Sequence, residues 1–108
     1  MRRILSCTLT LLGLVILAAP VLANIAALAD LPAHLSSQAL VTDTGSTKRT
    51  IAAAARQVPS MTFIGGHPMA GAARGGVAQA RADLFDGRPW ILTPPADHSA
   101  ASLARLEQ

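Results

Sequence analysis

Two polar side chains in this 108-residue sequence occupy settings suited to chemistry. His67 lies within Gly65-Gly66-His67-Pro68-Met69-Ala70-Gly71, and Ser46 lies within Thr42-Asp43-Thr44-Gly45-Ser46-Thr47-Lys48. An imidazole titrates close to neutrality, so it takes up and releases a proton under ordinary conditions. The paired glycines allow the backbone to approach another group closely, and Pro68 stiffens the residue after the imidazole. That setting fits a general base. A plainer reading is also open, in which His67 is a turn residue or a hydrogen-bonded surface histidine. Ser46 has the same duality: its hydroxyl can cap a helix beginning near Thr47, and it can donate to a ligand. The two roles do not exclude each other. His34, His67 and His98 lack metal-ligand spacing and Cys7 is distant in sequence, so no metal ligand is assigned.

The apolar pattern gives the elements that would hold these residues. Leu14-Val15-Ile16-Leu17-Ala18-Ala19 is a continuous apolar run stopped by Pro20, as expected of a buried parallel strand. Ile25, Leu28, Leu31 and Leu35 then recur at three- and four-residue spacing, which places them on one helical face. Pro32 interrupts that pattern, so the helix should end or bend just before it. Ala39-Leu40-Val41-Thr42 forms the second strand of a βαβ unit, and Ile51-Ala52-Ala53-Ala54-Ala55-Arg56 has high helix propensity. Met61-Thr62-Phe63-Ile64 reads as a third strand, with the histidine segment as the loop after it. Ile91-Leu92-Thr93 reads as a further strand. In an open α/β sheet, ligands bind beside the loops at the carboxyl ends of the strands, where both Ser46 and His67 fall.

Composition narrows the class. Hydrophobic residues make up 51% of the chain and aromatics only 3%, so the core must be built from Ala, Leu, Ile and Val. The formal charge of +3 comes from nine basic and six acidic residues. The basic residues are scattered, and without clustering or stacking aromatics they do not describe a nucleic-acid surface. One cysteine rules out an internal disulfide.

The N-terminus admits two readings. Arg2 and Arg3, the apolar run to Leu17, and Val21-Leu22-Ala23 resemble the regions of a secretory signal peptide. That alternative describes a small exported, non-enzymatic protein with residues 1–23 removed. The run is too short and too interrupted by polar residues for a membrane span. A signal peptide makes no prediction for the residues after Ala23, whereas the strand reading accounts for the helix and strand that come next. The strand reading is therefore adopted, and residues 1–13 stay unassigned.

Three segments taken in order resemble the prephenate and arogenate dehydrogenases. They are Thr-Asp-Thr-Gly-Ser-Thr-Lys from Thr42, Gly-Gly-His-Pro-Met-Ala-Gly from Gly65, and Ala82-Asp83-Leu84-Phe85-Asp86-Gly87-Arg88-Pro89-Trp90-Ile91-Leu92-Thr93-Pro94. Leu14 to Pro20 is similar to the strand that precedes these motifs in that family. The resemblance implies oxidation of prephenate or arogenate with NAD or NADP; prephenate would lose carbon dioxide and give 4-hydroxyphenylpyruvate on the route to tyrosine. It also implies that His67 accepts the proton of the substrate's ring hydroxyl and that Ser46 hydrogen-bonds near that hydroxyl. Ala19, Pro20 and Ser46 fall where the family's backbone passes the dinucleotide. A dimeric assembly, a cytoplasmic location and no nucleic-acid or membrane partner go with the family. Phe85 and Trp90 are expected to supply most of the large apolar surface and to have no chemical role.

The sequence departs from the family pattern in two places. Gly71-Ala72-Ala73-Arg74-Gly75-Gly76 stands where the family usually carries Ser and Glu after the glycine, and the chain contains no Gly-x-Gly-x-x-Gly phosphate loop. The fold expected is therefore α/β: a partial Rossmann-like, mostly parallel sheet with flanking helices, lacking the first βαβ glycine-loop unit and the C-terminal helical domain. Residues 14–95 would form this partial nucleotide-binding domain, and 96–108 a tail that starts a helix. A truncated chain with poor cofactor affinity and negligible dehydrogenase activity by itself is the corresponding expectation.

Overall fold

In the computed structural model, residues 13–108 are described. The unassigned N-terminal segment, apart from Gly13, lies outside the described residues, as does the basic and apolar start of the signal-peptide reading. Leu14–Leu17 is a strand, β1, followed by helix α1 at Val21–Asp30 and a single 3-10 turn at Leu31–Ala33. Pro32 sits at the start of that turn, where its missing N–H costs nothing, and the α-helix stops just ahead of it. Strand β2 covers Leu40–Asp43, α2 covers Arg49–Arg56 and β3 is the short Thr62–Phe63. Then come β4 at Gly65–Pro68, β5 at Trp90–Thr93 and α3 at Ala100–Leu106.

β1, β2 and β3 form a parallel sheet in that order. Leu14 pairs with Leu40 and Leu17 with Asp43 at its two ends, while Val41 pairs with Phe63. This is the βαβ unit expected from the apolar spacing. All four residues of β2 are buried, as the middle strand of a parallel sheet requires. One face of the sheet is covered by α1 and α2, whose Leu28, Ile51 and Ala55 pack with Leu17 and Val41, joined by Leu31 from the 3-10 turn. Met61, Phe63, Ile25 and Leu35 complete that core from its margin. Burying a side chain the size of Leu28 or Ile51 contributes about 1.5–3 kcal/mol.

The histidine segment is a strand and not a loop. Gly65–Pro68 runs antiparallel to Trp90–Thr93, with His67 opposite Ile91, in a two-stranded sheet of its own. Gly-Gly-His-Pro has no strand propensity, so its extended form depends on a partner strand distant in sequence, and periodicity does not reveal that. Phe85 and Trp90, expected to supply large apolar surface, meet each other. Their ring centroids are 5.8 Å apart, and they remain 49% and 42% exposed, outside the core under α1 and α2.

Ala100–Leu106 is helical. Ser99 caps α3, its hydroxyl accepting from Ser102 N at 3.0 Å. From the last turn of α3, Arg105 donates to the carbonyls of Gly13 (2.7 Å) and Gln38 (3.2 Å), tying the tail to the entrances of β1 and β2.

Candidate functional site

The carboxyl ends of β1 and β2 lie side by side because Leu17 and Asp43 are register partners. Thr44 N donates to Leu17 O (3.2 Å), which holds the turn carrying Ser46 against the exit of β1. Ala19 and Pro20 occupy that exit and are exposed. Their backbone is fixed by Asn24, a buried polar residue of α1 one turn before Leu28. Ala19 N donates to Asn24 Oδ1 (3.1 Å), and Asn24 Nδ2 donates to the carbonyls of Ala19 (2.8 Å) and Leu17 (3.3 Å). A buried amide with both ends satisfied fixes a chain exit firmly, since losing any partner leaves a desolvated polar group. Sequence reasoning misses Asn24, although a signal is present: one asparagine in phase with Leu28 and Leu31 in an alanine-rich helix.

Ser46 does not cap α2. The helix begins at Arg49, its N-cap position is Lys48, and no side chain bonds the cap. The physical reason is Asp43. Its carboxylate accepts from Gly45 N (3.1 Å) and from Lys48 Nζ, which curls residues 43–48 into a turn and delays the helix beyond Thr47. The hydroxyl of Ser46 is left exposed at the carboxyl edge of the sheet, without a helix N-terminus to serve.

Asp43 also reaches the histidine strand. Gly66 N donates to its Oδ1 at 3.0 Å, so one fully buried carboxylate joins the Ser46 turn to the residue preceding His67. Its charge is balanced by Lys48, whose side chain is largely buried as well. An isolated charge in such a place would be costly, and here both carboxylate oxygens face donors. The glycine pair makes this approach possible. A Cβ on Gly66 would fall 2.8 Å from Asp43 O and 2.7 Å from Trp90 Nε1, and one on Gly65 would fall 2.5 Å from Thr93 Oγ1.

His67 itself is half-buried and lines an open cleft of about 710 Å³. Met69, Ala70 and Gly71 form one wall of the cleft, and Arg81, Asp83, Leu84, Asp86 and Arg88 form another. Arg81 and Asp83 pair at 2.8 Å on the surface, and that hydrogen bond holds the Asp83 carboxyl below its ordinary range. Of the four candidate site residues, only His67 lines this cleft; Ala19, Pro20 and Ser46 sit at the neighbouring strand ends. Asp43 links the two groups. No group of three or more His, Cys, Asp or Glu among the described residues could hold a metal ion.

The family described as prephenate dehydrogenase, nucleotide-binding domain, matches residues 7–108. Prephenate dehydrogenase of Bacillus subtilis is 46% identical over 84 residues, an alignment covering 74% of this chain and 22% of that protein. The crystal structure of Synechocystis arogenate dehydrogenase superposes with a TM-score of 0.82 at 40% identity, over 95% of this chain and 36% of that one. Prephenate dehydrogenase from A. aeolicus, solved in complex with hydroxyphenyl propionate and NAD+, gives a TM-score of 0.78 at 32% identity, over 88% of this chain and 33% of that one. The chain thus spans between 22% and 36% of the length of these three proteins. With a parallel βαβ core of the Rossmann type and a family match that runs through all the described residues, the chain belongs to the prephenate dehydrogenase family, in its nucleotide-binding domain.

Proposed function

We infer that this chain supplies the proton-accepting side of an NAD(P)-dependent dehydrogenase site for prephenate or arogenate. The observation that carries the reading is the position of His67, on a strand beside an open cleft and coupled through Gly66 and Asp43 to the Ser46 turn. His67 makes no side-chain hydrogen bond to the described residues, so an imidazole nitrogen is available to a substrate hydroxyl. In this reading His67 takes the ring-hydroxyl proton as hydride leaves the ring carbon, and loss of carbon dioxide makes the ring aromatic. Ser46 donates to the same hydroxyl or orients the imidazole.

The residues present fit the nicotinamide end of a dinucleotide. Ala19, Pro20 and Ser46 form an exposed carboxyl edge, the position at which open α/β sheets receive such ligands. When bound, NAD or NADP supplies the hydride acceptor. The backbone at Ala19 is held still by Asn24, so that edge keeps its shape before any ligand arrives. The chain has no Gly-x-Gly-x-x-Gly loop, and the diphosphate is assigned no residues of this chain.

The assignment of 14–95 as a partial nucleotide-binding domain belongs to this proposal, as do a dimeric family assembly and a cytoplasmic location. No helix among the described residues is long and apolar enough to cross a membrane.

The test uses the purified chain and hydroxyphenyl propionate at millimolar concentration, followed by the His67 and Ser46 nuclear magnetic resonance signals. Ligand-dependent shifts at both residues, abolished in His67→Asn, are expected. Shifts confined to other residues, or none, would sink the reading. Turnover of prephenate with either cofactor by the isolated chain is expected to be negligible.

A further inference from the structure

We propose that Asp43 is a positioning residue for this site, a buried carboxylate clamp that fixes the Ser46 turn and the His67 strand relative to each other. The proposal rests on the reading of Ser46 and His67 as one site. Among the described residues, neither side chain makes a hydrogen bond to the other's element. Their relative placement is set by backbone, and Asp43 is the group that grips the backbone on both sides.

The grip is three-point. Oδ2 receives Gly45 N from the turn, adjacent to Ser46, together with the Lys48 ammonium; Oδ1 receives Gly66 N from β4, adjacent to His67. The carboxylate is 0% exposed, so these bonds replace water altogether and are of the stronger, charge-assisted kind. The glycines complete the device. Any Cβ at residue 66 would push β4 away from Asp43, and one at residue 65 would press on Thr93. Lys48 lies alongside, its Cδ 3.3 Å from where a Gly65 Cβ would stand, so it also packs against the strand that it helps to hold. A carboxylate is needed here in particular, because two backbone donors and an ammonium converge on one side chain. An amide would turn at least one donor toward another.

The test is made on the ligand-free full chain, so it stands apart from whether the site binds hydroxyphenyl propionate. Two variants remove the charge together with its counter-ion, which avoids leaving a lone buried ion: Asp43→Ala with Lys48→Met, and Asp43→Asn with Lys48→Met. Amide hydrogen exchange is read at Gly45, Gly66 and the β1–β2 ladder, and ring signals are read at His34, His67 and His98. In the alanine pair, exchange at Gly45 and Gly66 should quicken about tenfold or more, as loss of a charged acceptor implies, while the Val41 and Thr42 amides stay within about twofold. The His67 ring signals should shift or broaden while those of His34 and His98 hold still. The asparagine pair keeps one acceptor oxygen and the original volume, so it should fall between the wild type and the alanine pair. It carries the test alone if the alanine pair does not fold. Unchanged exchange at Gly66, unmoved His67 signals despite faster exchange, or equal movement of all three histidines would each overturn the clamp.

Discussion

Residues 14–68 and residues 69–99 are held together by different means. Every buried residue of the described chain falls between Leu17 and Pro68. That half has an apolar core of Leu, Ile, Val and Ala under two helices, with buried Asn24 and Asp43 bonded at both ends. The second half is largely exposed, and Val77, Phe85, Trp90 and Ile91 stand in solvent. It keeps its place through the ladder between β4 and β5, extended by Met69 N donating to Pro89 O (2.8 Å), and through the fit at Gly65 and Gly66. The lesson is a division of labour. The first half folds by removing area from water and presents a rigid sheet edge; the second is laid onto that edge by backbone bonds and walls the cleft beside His67. A wall with so little burial of its own should open more readily than the sheet that supports it.

A matched pair of truncations separates the two regions most strongly. Ile51→Ala, in the fully buried core, should lose about 2–5 kcal/mol, whereas Ile91→Ala, on the exposed face of β5, should lose less than about 1 kcal/mol. Urea unfolding with matched slopes would measure both, and similar losses would mean that the two halves share one core.

Glycine to alanine changes offer a finer contrast. Gly66→Ala, which drives a methyl into Asp43 O and Trp90 Nε1, should cost about 1–3 kcal/mol and weaken the β4–β5 pairing. Gly71→Ala meets nothing within 4 Å and should fall within about 0.5 kcal/mol of the parent. Equal midpoints in denaturant for the two variants would refute the close-approach account of the glycine pair.

The smallest effect concerns the surface pair on the cleft wall. Arg81 lowers the pKa of Asp83, so any stability the pair adds is present above the unfolded carboxylate pKa and fades as pH falls through the lower folded value. Both groups are exposed and screened by salt. Asp83→Asn should therefore leave the melting temperature almost unchanged at neutral pH, and any small difference from the parent should vanish in acid. A loss that persisted in acid or in high salt would place Asp83 in a buried role.

Much of the first half is legible in the sequence because its signals are local. An apolar run ending at Pro20, a three- and four-residue spacing from Ile25, and an Ala-rich segment after Lys48 each specify one element by themselves. The second half hides its structure in long-range pairing. Gly65–Pro68 looks like a loop until Trp90–Thr93 is laid beside it, and the sequence gives no sign that Phe85 and Trp90 pack on each other outside the core. At the site, residue type and resemblance single out His67 and Ser46, while Asp43 passes as a turn former. Its decisive partner, Gly66, lies 23 residues on, and no spacing rule reaches that far. The Asp-x-Gly at the end of an apolar strand is the legible part of that signal.

The bond from Arg105 to the carbonyl of Gly13 spans 92 residues of chain. A loop of that length is slow to close, and its target does not exist until β1 and β2 have set the Gly13 and Gln38 carbonyls side by side. The contact of Arg105 with these two carbonyls is therefore expected to form only after the parallel sheet is in place, and, lying exposed at the surface, to be among the first to open.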